Sequence, residues 1–135
     1  MKTSILASAL SFLAAASAVS VSYDTGYDDA ARSMNVVSCS DGPNGLAGQY
    51  PTQGALPTFP NIGGVPAIAG HGSPECGSCW QLTYEGNSIY VLGIDHSTDY
   101  NIALAAMNDL TNGNAEFLGR VEATATEVDP SLCGL

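Results

Sequence analysis

Residues 76–97, CGSCWQLTYEGNSIYVLGIDHS, decide the fold, and they hold two of the four cysteines and the single tryptophan. Side chains alternate between larger apolar and smaller or polar types over residues 79–84, which predicts a half-buried strand. Residues 85–87, Glu-Gly-Asn, supply a turn, and residues 89–94 predict a second, more buried strand. The predicted hairpin ends at Asp95, at a strand end where binding groups are common.

The N-terminus of the 135-residue chain is typical of a cleavable secretory leader. Lys2 precedes an apolar run over residues 5–16, and Ala16-Ser17-Ala18 matches a cleavage site. The run is too short to cross a bilayer, so no membrane span is expected. We therefore expect a signal peptide over residues 1–18 and a single domain over residues 19–135.

Acidic residues dominate the charge of the chain. Thirteen Asp and Glu stand against three Lys and Arg, which gives a formal net charge of −10. Without Lys2, only Arg32 and Arg120 remain, so no basic patch for nucleic acid or an anionic membrane can form. The acidity favours solubility, and no nucleic-acid partner is expected.

The four cysteines all follow the predicted leader, as in an oxidised extracellular protein with two disulfides. Their spacing leaves three pairings open. A Cys76–Cys79 bridge would close a small, strained ring. The combination of Cys39–Cys76 with Cys79–Cys133 would instead close two long loops, each contributing about 4 kcal/mol in the chain-entropy model.

The rest of the chain predicts short strands and one helix. Pro130 would end the last strand, and Cys133 would hold the C-terminal tail. Such a pattern is typical of a small β barrel. The expected elements are strands over 19–25, 34–38 and 118–128, a helical turn over 46–50, a packed proline-rich loop over 51–74, and a helix over 101–111.

Three kinds of cysteine chemistry fit the hairpin poorly. CGSCW matches a local cysteine-protease signature, but too few residues follow Cys79 to supply the distant His and Asn. A redox pair would start a helix, whereas Trp80 starts a strand. Zinc held by Cys76, Cys79, His71 and His96 lacks a second close ligand pair. We therefore expect no metal and no cofactor.

Asp95 is the best candidate for a functional side chain, with a role as a cap for the following segment as the alternative. Hydrolysis of a glycoside needs two carboxyl groups. Asp24, Asp41 and Asp99 are possible partners, but no spacing rule pairs any of them with Asp95. His96 is more typical of a packed or hydrogen-bonded histidine than of a catalyst.

The tyrosines suggest stacking against sugar rings, although at least half of them are expected to be ordinary core or strand residues. Tyr23 and Tyr100 lie beside acidic residues and chain reversals. We therefore expect these two to be the exposed pair.

An ordered set of short motifs resembles the cerato-platanins of filamentous fungi, and the resemblance covers the whole predicted mature chain. No single motif is decisive, but their order is specific. The motifs are VSYD at 21–24, CSDGPNGL at 39–46, YPTQG at 50–54, FPNIGG at 59–64, CGSCW at 76–80, NSIYV at 87–91 and DLTNG at 109–113, followed by Cys133.

The resemblance implies a mainly β fold, a six-stranded double-psi β barrel with one or two short helices and two disulfides, Cys39–Cys76 and Cys79–Cys133. It implies a secreted protein, extracellular or wall-associated, that binds chitin-type N-acetylglucosamine oligomers in a shallow groove without catalysis. It further implies self-assembly at surfaces, expansin-like loosening of plant cell-wall polysaccharide, and elicitation of plant defence through a host receptor. The alternative is a weak endoglucanase or lytic transglycosylase that uses Asp95 as its acid.

The resemblance also implies which residues bind the carbohydrate. Asp95 is expected on the groove floor, with Asn101 in the same segment. Around Asp99-Tyr100 the chain departs from the family pattern, where Gly precedes an aromatic residue. The predicted carbohydrate-binding residues are Asp95, Asn101, Tyr100, His96, Tyr23, Asp24, Ser40, Asp41 and Gly42.

Overall fold

The computed structural model describes residues 16–135, which form a closed six-stranded β barrel. The strand order around the barrel is β1-β5-β2-β4-β3-β6. Most of the expected leader lies outside the described residues. The strands are β1 (Ser17–Tyr23), β2 (Ile62–Val65), β3 (Cys79–Tyr84), β4 (Asn87–His96), β5 (Tyr100–Ile102) and β6 (Arg120–Val128).

Two parallel pairs, β1 with β5 and β2 with β4, are joined by antiparallel pairs into the closed barrel. Closure leaves none of these six strands with a free edge. Apolar side chains fill the interior, and Ile62, Leu82 and Ile102 are completely buried. This confirms the barrel that the sequence predicted.

Two helices follow β5: α1 (Leu104–Thr111) and α2 (Ala115–Leu118). The start of α1 is capped from a distant segment, because Asp28 accepts hydrogen bonds from the Leu104 N–H at 2.7 Å and the Ala105 N–H at 2.9 Å. The predicted helix began three residues earlier, but residues 100–102 pair with β1 and β2 as strand β5. Among the described residues, no helix combines the length and apolarity needed to cross a bilayer.

The disulfides are Cys39–Cys76 and Cys79–Cys133, as the resemblance implied. The first ties the loop before residue 40 to the segment that leads into β3. The second fixes the C-terminal tail to the first residue of β3. Both bridges therefore anchor the hairpin of β3 and β4 to other parts of the chain.

Two predictions about local structure were wrong. Residues 34–38 do not form a strand, because the Ser33 hydroxyl accepts from the Asn35 N–H at 3.0 Å and caps a 3₁₀ turn over Met34–Val36. The proline-rich segment is not only loop, because it contains the buried strand β2. At Gly63, a side chain would overlap the backbone of Asn101, so glycine is what lets β2 approach β5.

Candidate functional site

A line of polar positions crosses four neighbouring strands and includes Asp95. Gly64 on β2 lies opposite Asp95 on β4 and opposite Asn101 on β5, and Asn101 lies opposite Ser22 on β1. Residues directly opposed across strands place their side chains on the same face of a sheet. We call Asp95, Gly64, Asn101 and Ser22 the polar row. The Ser22 hydroxyl donates to Asn101 Oδ1 at 3.1 Å, which fixes the orientation of the amide.

Gly64 lies in the middle of the polar row and is buried. Since Asp95 and Asn101 lie two strands apart, their backbones are separated by about 10 Å. A β-carbon at Gly64 would lie 2.8 Å from the Ser97 β-carbon and 3.2 Å from the Tyr27 hydroxyl. The Ser97 side chain and the Tyr27 hydroxyl therefore fill the position of a side chain at residue 64, and glycine is what lets the Tyr27 hydroxyl reach Asp95.

The Asp95 carboxylate is held by four donors. Its Oδ1 accepts from the Ser38 N–H at 2.9 Å, the Ser38 hydroxyl at 2.7 Å and the His96 N–H at 3.0 Å. Its Oδ2 accepts from the Tyr27 hydroxyl at 2.8 Å. Oδ2 accepts one hydrogen bond where Oδ1 accepts three, so Oδ2 retains acceptor capacity. The four hydrogen bonds orient Asp95 rigidly. The residue is half-buried, and Oδ2 is able to accept a hydrogen bond from a ligand.

Tyr27 is the aromatic residue of this site. It is 5% exposed, and Arg32 lies over its ring at 5.5 Å from the centroid. Burial, followed by the charge of Asp95, raises the Tyr27 pKa well above its usual value. The phenol therefore stays protonated at neutral pH and serves as a fixed donor to Asp95.

The two tyrosines predicted to be exposed lie elsewhere. Tyr100 is 6% exposed and packs edge-on against Trp80, with 5.6 Å between the ring centroids. Burial raises the Tyr100 pKa to about 12. Tyr23 is half-buried and packs against the core. The predicted exposure was therefore wrong for Tyr100, because its strand pairing turns the ring into the protein.

The three acidic residues considered as partners for Asp95 have other contacts. Asp24 Oδ1 accepts from the Gly26 N–H at 2.8 Å and caps a 3₁₀ turn. Asp41 pairs with His71, and the hydrogen bond from His71 lowers the Asp41 pKa. Asp99 lies 3.3 Å from Arg120. Each of these carboxylates is thus engaged away from Asp95.

Of the remaining predicted residues, Ser40 and Gly42 lie in the loop that follows Ser38, and His96 is the last residue of β4. The Ser40 carbonyl accepts from the Ala47 N–H at 2.9 Å, and the Gly42 carbonyl accepts from the Gly45 N–H at 3.0 Å, so these bonds shape their own loop. His96 is exposed, and its Nδ1 lies 2.6 Å from the Ile68 carbonyl oxygen. Of these three residues, only His96 bonds to Asp95, through its backbone.

The sequence did not single out Tyr27, Ser38, Gly64 or Ser22 as site residues. Tyr27 and Ser38 reach Asp95 across 68 and 57 residues of chain, and no local pattern signals such contacts. Ser22 had a weak signal, because it is a polar position in an alternating strand. Gly64 had none, since its role depends on the two strands beside it.

A small barrel with two disulfides and a rigid polar row defines the class of this protein: a compact, cross-linked β-barrel protein with a surface site. A family model described as Cerato-platanin matches residues 19–135. The chain therefore belongs to the cerato-platanin family.

Relatives and solved structures agree with this assignment. Allergen Asp f 15 of Aspergillus fumigatus is 57% identical over 116 residues, which cover 85% of this chain and 76% of that protein. Cerato-platanin of Ceratocystis fimbriata f. sp. platani is 46% identical over 129 residues, which cover 93% of this chain and 94% of that protein. The crystal structure of cerato-platanin 2 from M. perniciosa has a TM-score of 0.85 at 45% identity, covering 88% of this chain and 100% of that one.

The solution structure of the fungal elicitor Cerato-Platanin is also similar, with a TM-score of 0.76 at 45% identity over 85% of this chain and 96% of that one. These relatives are known by the names of an allergen and an elicitor, and none of these names is that of an enzyme. The chain thus belongs to a family of fungal elicitor proteins.

Proposed function

We propose that this chain is a secreted, non-catalytic protein that binds chitin-type N-acetylglucosamine oligomers along the polar row. The observation that carries the proposal is the placement of Asp95 and Asn101 in one row on either side of Gly64, each oriented by hydrogen bonds. Secretion is supported by the leader-like N-terminus and by the two disulfides.

Asp95 and Asn101 offer complementary groups to a sugar. Asp95 Oδ2 accepts a hydrogen bond from a sugar hydroxyl. The Asn101 amide nitrogen donates to an acetamide carbonyl, while Asn101 Oδ1 is held by the Ser22 hydroxyl. The separation of about 10 Å spans more than one pyranose ring, which favours an oligomer over a monosaccharide. A shallow site buries little area, so we expect dissociation constants of roughly micromolar to millimolar.

The contacts of Asp95 favour binding over catalysis. All four of its partners in the site donate to it, which suits an acceptor and not a proton-donating acid. Glycoside hydrolysis in most families needs a second carboxyl group across the scissile bond. Asp24, Asp41 and Asp99 each have another partner, so none of them is poised for that role.

Calorimetry with the N-acetylglucosamine tetramer tests the proposal. We expect binding to the native chain, and a loss of about tenfold or more in affinity for Asp95→Ala and Asn101→Ala, since each removes a charged or polar contact. Asp109→Ala is the matched control, because Asp109 is an exposed acidic residue on α1. Equal affinity in the native and Asp95→Ala proteins would contradict the proposal. New reducing ends from chitin or cellulose, abolished in Asp95→Asn, would favour the glycan-cleaving alternative instead.

Surface self-assembly, loosening of plant cell-wall polysaccharide and elicitation through a host receptor complete the proposal. Elicitation is supported by similarity to the fungal elicitor Cerato-Platanin. A defence response in plant tissue that is as strong with Asp95→Ala as with the native chain would show that receptor recognition does not use the polar row.

A further inference from the structure

A second concave site lies at the other end of β4 from Asp95. Its volume is about 390 Å³, within the range of roughly 300–1,000 Å³ that is usual for small-molecule sites. It opens beside the turn between β3 and β4, where β4 begins at Asn87. Eight residues of extended strand separate Asn87 from Asp95, a distance of about 25 Å. The two sites are therefore distinct. We call this one the hairpin cavity.

The walls of the hairpin cavity are fixed to one another. One wall is the turn, with Tyr84 and Glu85, and the other is the loop between α1 and α2, with Asn112 and Asn114. Asn87 joins the two walls, because its amide nitrogen donates to the Leu110 carbonyl at 3.0 Å and also to the Asp109 carbonyl. The cavity is therefore preformed and does not need to be assembled by a ligand.

Unusual backbone conformations converge on this cavity. Glu85 has φ of 48° and Asn112 has φ of 55°, and these are the non-glycine residues with positive φ in the described part of the chain. Such conformations cost energy for a residue with a β-carbon, and they cluster at binding sites. Both residues line the cavity, so the turn between β3 and β4 and the αL C-cap of α1 shape its two walls.

An aromatic ring stands open at the rim. Phe117 on α2 is 89% exposed, the highest value among the exposed large hydrophobic residues of the described chain, and it lines the cavity with Leu118. A phenyl face beside an amide and a carboxylate can stack on the apolar face of a sugar ring while the polar groups bond its hydroxyls. Exposure of this ring to water is unfavourable unless a ligand covers it.

The other ligand classes fit less well. The lining includes Glu85 and no basic residue, so an anionic ligand would be repelled. An extended peptide that adds to a sheet edge has no place here, because β3 and β4 are paired on both sides. We propose that the hairpin cavity is a second saccharide site, which binds a neutral pyranoside with its ring stacked on Phe117 and its hydroxyls bonded by Asn112 and Glu85.

The test is an NMR titration of the isotope-labelled chain with cellobiose and, separately, with N,N′-diacetylchitobiose. We expect saturable shifts of the backbone amides of Glu85, Asn112 and Phe117 with at least one of the two disaccharides. Phe117→Ala should weaken this binding by at least about fivefold, since it removes the stacking face. Asn112→Gly should weaken it by a similar factor, because glycine keeps the left-handed backbone and removes only the amide.

Val36→Ala is the matched control, because Val36 is 60% exposed and is not part of the cavity lining. The titration is repeated with Asp95→Ala, so that shifts that persist there are assigned to the hairpin cavity even if the polar row binds no sugar. Shifts confined to the surroundings of Asp95 would overturn the second site. The second site would also be overturned by shifts that are unchanged in Phe117→Ala and Asn112→Gly, or by the same shifts in a titration with sorbitol.

Discussion

The two ends of β4 use polar side chains in different ways. At the Asp95 end, four hydrogen bonds from three residues hold one carboxylate, and the buried Tyr27 donates one of them. At the Asn87 end, a carboxylate, an amide and a phenyl ring surround an open space of about 390 Å³. The first end is built by close packing, whereas the second is built by left-handed turns.

This difference indicates where the barrel tolerates substitution of a glycine. Glycines at the Asp95 end are required by neighbouring atoms, since a β-carbon at Gly63 or Gly64 would overlap another strand or the Ser97 side chain. Gly86 in the turn at the other end has no such neighbour within 4 Å, and only its φ of +81° restricts it. Substitution should therefore cost packing energy at one end and only backbone energy at the other.

The largest expected effect on stability comes from alanine at Gly63, and alanine at Gly86 is the comparison. Gly63→Ala should lower the free energy of unfolding by about 3 kcal/mol, because the new methyl group overlaps the Asn101 backbone. Gly86→Ala should lower it by about 1 kcal/mol, the usual penalty for a left-handed alanine. Guanidinium unfolding of both variants measures the difference. Equal losses would remove the packing contrast between the ends.

Removal of charge gives the next effect. In Asp95→Asn, one amide N–H₂ must face a donor such as the Tyr27 hydroxyl or the Ser38 N–H, which leaves a partly buried donor without an acceptor. We expect a loss of about 1–3 kcal/mol. Glu85→Gln at the hairpin cavity should change stability by less than about 0.5 kcal/mol, because Glu85 is exposed. Urea unfolding of the two variants makes the comparison, and a similar loss in both would show that Asp95 is not structurally special.

The sequence revealed one of these ends better than the other. β3 and β4 carry regular alternation and a Glu-Gly turn, so the hairpin could be predicted from local pattern alone. β2 and β5 have four and three residues, too few for a period to show, and their pairing depends on strands far away in the chain. The pattern of short strands predicted a small β barrel, but the number of strands and their double-psi arrangement came from the resemblance to a family.

The hydrogen-bond partners of Asp95 could not be predicted from the sequence for the same reason. Asp95 could be found because it lies near the end of a buried strand, and it stayed a candidate on that ground. Tyr27 and Ser38 could not, because only the folded chain brings them to Asp95. Tyr100 follows an acidic residue and looked exposed, yet its pairing with Val21 on β1 turns the ring toward Trp80.

Helix α1 extends the comparison, because it connects the two ends. Its start is capped by Asp28, next to Tyr27, and its end at Asn112 lines the hairpin cavity. Asp28→Ala should lower the free energy of unfolding by about 1–2 kcal/mol, as for the loss of other helix caps. Asp109→Ala on the exposed surface of α1 should change it by less than about 0.5 kcal/mol. Thermal melting compares them, and faster hydrogen exchange at Leu104 and Ala105 in Asp28→Ala would locate the effect. An unchanged exchange rate would contradict the capping role.

Alkaline pH should weaken the contribution of the two buried tyrosines, Tyr27 and Tyr100, to the free energy of unfolding. Burial raises the pKa of Tyr27 and of Tyr100, the latter to about 12. In the unfolded chain both phenols have the usual tyrosine pKa of about 10. Their contribution to the free energy of unfolding is therefore complete below about pH 10 and is lost as the pH rises through the pKa values of the folded chain. The urea midpoint should therefore be level up to about pH 10 and fall above it. Tyr100→Phe should reduce the fall, and a profile identical to that of the native chain would contradict this assignment.

The smallest effect concerns the surface pair of Asp41 and His71, in the loops beside the Asp95 end. The hydrogen bond from His71 holds the Asp41 pKa below its usual value, so the pair contributes above that usual value and the contribution is lost as the pH falls through the lowered one. Both side chains are exposed, and the change in overall stability should be too small to measure. In His71→Ala, however, the Asp41 pKa should rise toward its usual range in an NMR titration. Asp129 is the internal control, because the Ser131 N–H lowers its pKa and His71 does not. A rise at both positions would point to a general charge effect, whereas a rise at Asp41 alone would show that the His71 hydrogen bond lowers the Asp41 pKa.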